Sequence, residues 1–169
     1  MSDTSALELF AEISIGLVGF AGVVSALGHS RLPPAIRSFR ISALLLYSVV
    51  ALGGSLLPIV LLKHEVSTMS AWLFSAVALA AAQVAILVWA AIAVAPLMRD
   101  GLLPSLIARV VFTILGAATL YLLYGILFDR PLLAAIYLAG IFVTLGLGVF
   151  HFVVLVQSIQ AGDRAGNDV

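Results

Sequence analysis

Among the polar side chains set inside the long apolar runs of this 169-residue sequence are Glu12, Gln83 and His151. A carboxylate, an amide and an imidazole are the types that pass protons or cations through a membrane interior. The imidazole titrates near neutral pH, and a carboxylate repeated around a pore favours cations. Polar groups of this kind inside a membrane span ordinarily face the bundle interior or water. As a set, the three form one candidate route for ion or proton passage. They sample different depths, with neighbouring members roughly 10 Å apart at about 1.5 Å of helix rise per residue. Direct transfer cannot cross that gap, so water or hydroxyls such as Ser14, Ser48, Thr113, Thr144 and Tyr124 would have to bridge it. The competing reading is structural. Glu12 would then be bonded to a neighbouring helix or wet at the interface, and His151 would be a hydrogen-bonded core residue.

The connection GHSRLPPAIRSFR carries Arg31, Arg37 and Arg40. Arginines beside an apolar segment set its orientation and attract anionic lipid headgroups, at about 1 kcal/mol each. Both roles are expected here.

Enzymatic chemistry has no comparable support. There is no cysteine, hence no thiolate nucleophile, disulfide or thiolate metal site. No two of the three histidines stand at helix-face spacing, so no metal site is expected. Paired catalytic acids are missing, as are dinucleotide and P-loop signatures. Gly16, Gly19 and Gly22 imitate a glycine-rich loop, but they sit within an apolar run where no phosphate could be cradled. Neither enzyme activity nor a cofactor is expected, and no basic tract suggests nucleic acid.

The elements that must hold these residues follow from composition. The chain is 63% hydrophobic and 9% charged, whereas a soluble domain carries about 25% charged residues to wet its surface. Its solvent is therefore mostly lipid. Stretches of about 20 apolar residues can span a bilayer, and five qualify, at about 7–28, 41–62, 70–96, 105–127 and 132–157. Lipid offers open backbone no hydrogen-bond partner, so each span should be a helix. The expected fold is an all-α integral membrane bundle of about five transmembrane helices. Residues 1–6 would be a short polar N-terminus, 7–159 a single membrane domain, and 160–169 a mobile cytoplasmic tail.

Orientation follows from Lys and Arg in the connections. Arg31, Arg37, Arg40, Arg99, Arg109 and Arg164 fall on one side, and Lys63 and Arg130 on the other. The richer side is expected to be cytoplasmic, which places the acidic N-terminus outside, in a plasma membrane of the bacterial inner-membrane type. A signal peptide begins with positive charge, but residues 1–12 hold Asp3, Glu8 and Glu12 and no Lys or Arg, so the first span is expected to be retained. Pro34 suits the first turn of a helix. Arg99, Asp100 and Gly101 read as a turn with Pro104 opening the next helix, and Asp129 to Pro131 as a tight outer turn. Trp72 suits an interfacial anchor and Trp89 internal packing.

Small-residue stripes let helices approach closely in lipid. In the first span, Glu8, Glu12, Gly19 and Ala26 fall within about 40° of one another at about 100° per residue. Gly16 and Gly22 flank them, while Leu9, Ile13, Leu17, Phe20, Val24 and Leu27 form a large apolar side. Other stripes are Ser48, Ala51 and Ser55; Ala76, Ala80, Gln83 and Ala90; Arg109, Thr113 and Gly116; and Gly140, Thr144 and Gly148 leading to His151. Gly53, Gly54 and Pro58 could bend the second span. Packing seams are the expected use of all of them.

Two functions fit these features. One is a homo-oligomeric ion or proton conduit in which Glu12 from each copy forms an acidic ring. The other is a structural or accessory subunit that docks a larger membrane complex through its small-residue faces. The expected partners are accordingly membrane lipids, further copies of the chain, or another membrane protein. A self-contained transporter is disfavoured by the lack of an internal repeat or an evident broken helix.

Overall fold

The computed structural model describes the backbone of residues 3–27 and 32–166 and the side chains of 5–23 and 32–158. Arg31 lies outside the described residues, as do the side chains of Val24, Ala26, Leu27 and Arg164. The regular structure there is all helical: α1 (Asp3–Leu27), α2 (Pro34–Lys63), α3 (Thr68–Arg99), α4 (Ser105–Phe128), a 3-10 turn (Arg130–Leu132) and α5 (Leu133–Gly166). Each of the five α-helices contains a stretch long and apolar enough to cross a membrane.

The helix ends follow local chemistry. Pro34 occupies the first turn of α2, where a missing N–H is not needed. At the other end of α2, Glu65 adopts φ 59°. Its N–H bonds Leu62 O and the Val66 N–H bonds Leu61 O, both at 3.3 Å, which helps close the last turn of the helix. The Ser67 hydroxyl accepts the Ser70 N–H at 3.3 Å and opens α3. The exit of α3 repeats the motif with the residue that suits it. Gly101 takes φ 67°, the Leu102 N–H bonds Leu97 O at 2.9 Å, and the Gly101 N–H bonds Met98 O at 3.2 Å. Helical backbone continues in α5 to Gly166, through most of the segment expected to be a tail. No proline interrupts it, and an anchored helix propagates more readily than it nucleates.

Helix α5 is the centre of the bundle. It packs against α1, α2, α3 and α4, which follow one another around it in chain order. Helices α1 and α4 make no substantial contact with each other, so the arc is open there. Phe142 of α5 looks out through that opening, 64% exposed, with its ring 6.4 Å from Phe10 of α1. Three of the expected seams are buried in this arrangement: Ser48, Ala51 and Ser55 on α2; Ala76, Ala80, Gln83 and Ala90 on α3; and Gly140, Thr144 and Gly148 on α5. A Cβ on Gly140 would sit 3.4 Å from Leu79 of α3, and one on Gly148 would sit 3.4 Å from Tyr47 of α2.

Helices α1 and α4 are turned differently from expectation. The buried side of α1 is Leu7, Ala11, Ser14, Leu17 and Ala21, whereas Leu9, Ile13 and Phe20 are exposed. That side is centred about 110° around the helix from the large apolar one, at about 100° per residue. On α4, Arg109 and Thr113 are exposed, and Ala108, Leu115, Thr119, Leu122 and Gly125 are buried instead. Both helices end the arc and are covered on one side only, and lipid accepts a large apolar side as readily as the bundle does. Trp72 is also displaced from its expected place. It is 8% exposed and lies edge-on to Tyr137 at 5.7 Å, inside the bundle. Trp89 stacks on Phe39 at 5.5 Å, the packing role expected of it.

Pro58 leaves α2 unbroken. A proline has no N–H for the carbonyl four residues earlier, which is that of Gly54. The Tyr137 hydroxyl of α5 donates to the Gly54 oxygen instead, so a neighbouring helix satisfies the freed acceptor.

Candidate functional site

Gln83 is completely buried and joins three helices. Its Nε2 donates to Gly140 O at 3.3 Å and Thr144 Oγ1 at 3.1 Å on α5. Its Oε1 accepts from Thr119 Oγ1 of α4 at 3.1 Å. The single Thr119 hydroxyl hydrogen is shared with Leu115 O, 2.8 Å away, and Thr144 donates to Gly140 O at 2.9 Å. Both amide hydrogens and the amide oxygen are therefore engaged by protein groups. This is a tie between helices, and the groups in it are neutral.

Glu12 is exposed on α1, on the same outward side as Gly16, Gly19 and Gly22. A Cβ on any of the three glycines would meet nothing within 4 Å. Among the described residues, then, no helix of the chain approaches the glycine side of α1. The intended bridging hydroxyls do not link the three polar residues either. Ser14 bonds back to Phe10 O at 2.7 Å, Thr113 and Tyr124 are exposed, and the buried Ser48 hydroxyl has no hydrogen-bond partner. Glu12 thus faces away from the bundle, while Gln83 and His151 are held apart inside it. Thr144, the partner of Gln83, precedes His151 on α5 by two turns, roughly 10 Å of rise.

His151 instead meets a residue from the arginine group. Arg40, 6% exposed, and His151, 4% exposed, both line an internal cavity of about 30 Å³ between α2, α3, α4 and α5. Tyr47 stacks on the His151 ring at 5.6 Å, while Phe39 and Phe150 meet it edge-on at 6.0 and 5.5 Å. The rest of the wall is mostly aliphatic, including Leu87, Val94 and Val111, and no Asp or Glu contributes to it. Arg40 Nε and His151 Nδ1 have no hydrogen-bond partner. A buried cation without a counter-charge is costly, and the space beside it is large enough for one or two waters. Chemically, the place is an apolar pocket with one cationic side chain and one imidazole in its wall.

Treating Arg40 as one member of a surface arginine group hid this pocket. A usable signal existed: Ile36, Ala43, Leu44 and Tyr47 are buried on α2 at helical spacing, and Arg40 falls on that same side. Arg37, three residues earlier, is half-buried. Among the described residues, no group of three or more His, Cys, Asp or Glu could hold a metal ion.

Comparison of the chain with protein-family models, curated proteins and solved structures found no match in any of the three.

Proposed function

We propose that the chain is a membrane subunit that self-associates through the outward side of α1, bringing Glu12 from each copy together as an acidic ring for cation or proton passage. The supporting observation is a contrast between glycines. A Cβ on Gly140 or Gly148 of α5 would meet a neighbouring helix at 3.4 Å within the chain, whereas one on Gly16, Gly19 or Gly22 would meet nothing within 4 Å. Small residues at a membrane helix surface allow close backbone approach, and here the approach is left to another molecule. The carboxylate at the head of that side favours the conduit form. The orientation proposed is N-terminus outside and C-terminus cytoplasmic in a plasma membrane, because six of the eight Lys and Arg residues fall on one side of the alternation. A second reading, an accessory subunit docking the same glycine side onto a larger complex, rests on the same exposed glycines.

The chain contains no cysteine, so Gly19→Cys would carry the sole thiol. Oxidative cross-linking in membranes should give dimers from Gly19→Cys and none from Leu106→Cys, whose position is 71% exposed on α4. A Gly19→Cys chain that never cross-links to itself would exclude self-association. Reconstituted conductance that disappears with Glu12→Gln would support the conduit. Absence of conductance with a reproducibly co-purifying membrane protein would favour the accessory role.

A further inference from the structure

The Arg40–His151 cavity lies beside a second space. A groove of about 460 Å³ runs between α4 and α5, lined by Leu106, Val110 and Ile114 from the first and Phe142, Gly146 and Leu147 from the second. Ile107, Val111 and Phe150 line both the groove and the cavity, so the two adjoin. The groove offers almost nothing but hydrocarbon, and the cavity offers a guanidinium whose buried Nε has no hydrogen-bond partner.

We infer that the two spaces form one binding site for an anionic membrane lipid, its headgroup oxygens at Arg40 and an acyl chain along the α4–α5 groove. An anion complements the charge there, because Arg40 Nε is buried without a partner and no carboxylate lines the cavity. No ion pair reaches Arg40 among the described residues. His151 Nδ1, also unpartnered, adds a second polar position in the same wall. At about 30 Å³ the cavity admits the oxygens of a headgroup rather than the whole group. Placement also fits a lipid. Arg40 is six residues beyond Pro34, near one end of α2, where a headgroup belongs. From Leu106 to Ile114 the groove follows α4 for about 12 Å at about 1.5 Å per residue, close to the roughly 15 Å of one leaflet's hydrocarbon. A water-soluble anion would gain nothing from that apolar length. Gly146 borders open space in the groove, since a Cβ there would meet nothing within 4 Å.

This site uses no part of the α1 surface and stands independently of the proposed assembly. Native mass spectrometry of the purified full chain tests it, with equimolar phosphatidylglycerol and phosphatidylcholine of identical acyl chains in the detergent. The expected result is one retained phosphatidylglycerol, favoured by about fivefold or more, the ratio for one arginine against a lipid anion. Arg40→Gln should remove the preference. Gly146→Phe, which fills the groove and leaves Arg40 in place, should lower the lipid-bound fraction by a similar factor, so the test survives an Arg40 variant that fails to fold. Arg109→Gln, exposed on α4, should change neither. Equal retention of the two lipids would overturn the assignment, as would a preference that persists in Arg40→Gln or falls equally in Arg109→Gln. Bound lipid unaffected by Gly146→Phe, or displaced by inorganic phosphate alone, would also overturn it.

Discussion

At the scale of single residues, the fold rests on polar ties that replace missing backbone bonds. Gly54 loses its intrahelical partner because Pro58 follows four residues later, and Tyr137 supplies the donor. Tyr137→Phe should therefore lower stability by about 1 kcal/mol, the consequence of leaving a partly buried carbonyl unpaired. In a Pro58→Ala background an intrahelical N–H again reaches Gly54, and the same Tyr137→Phe change should matter much less. Reversible unfolding in mixed micelles, run as a double-mutant cycle, measures the difference. An equal loss in both backgrounds would show that the hydroxyl acts in some other way. Gln83 could be picked out from sequence as a polar residue within a span, and it proved to be a structural tie. Its partners Thr119 and Thr144 lie 36 and 61 residues away along the chain, so local pattern carried no trace of the network.

At the scale of elements, the helix boundaries were the most legible feature because local chemistry makes them. Pro34, the Ser67 cap and Gly101 all act over four or five residues, within reach of sequence reasoning. The two left-handed exits yield a paired prediction. A side chain at φ near +60° is strained by roughly 1–2 kcal/mol, which glycine avoids. Glu65→Gly should stabilise the protein by about 1 kcal/mol and Gly101→Ala should destabilise it by about the same amount, read from unfolding midpoints. Changes of the same sign would mean that these turns are not held as described. The facing of each helix was less legible. On α2, α3 and α5 the small-residue stripes coincide with the buried side, but on α1 and α4 they do not. Sequence periodicity marks a stripe without saying whether a helix of the same chain, another copy or lipid will cover it.

At the scale of the whole molecule, α5 is surrounded by the other four helices, and the arc they form is open between α1 and α4. The proposed orientation puts the α2–α3 turn outside and the α3–α4 turn in the cytoplasm. With no native cysteine, His64→Cys and Asp100→Cys place single thiols at the two exposed turns. A membrane-impermeant maleimide applied to intact cells should label His64→Cys and spare Asp100→Cys until the membrane is opened. The reverse pattern would invert the topology and move Glu12 to the other mouth.

The amino-acid sequence determined by itself the all-helical character, the five apolar spans and most of their boundaries. Those follow from the price of exposing backbone to lipid and from short-range capping, neither of which depends on distant residues. Only the tertiary structure decided which polar groups meet. It turned Glu12 outward, bound Gln83 into a neutral tie, and brought Arg40 from the arginine-rich connection to His151, 111 positions further along the chain. That meeting depends on how α2 and α5 are rotated against each other. In lipid such rotations are chosen by close packing, which hydropathy does not encode.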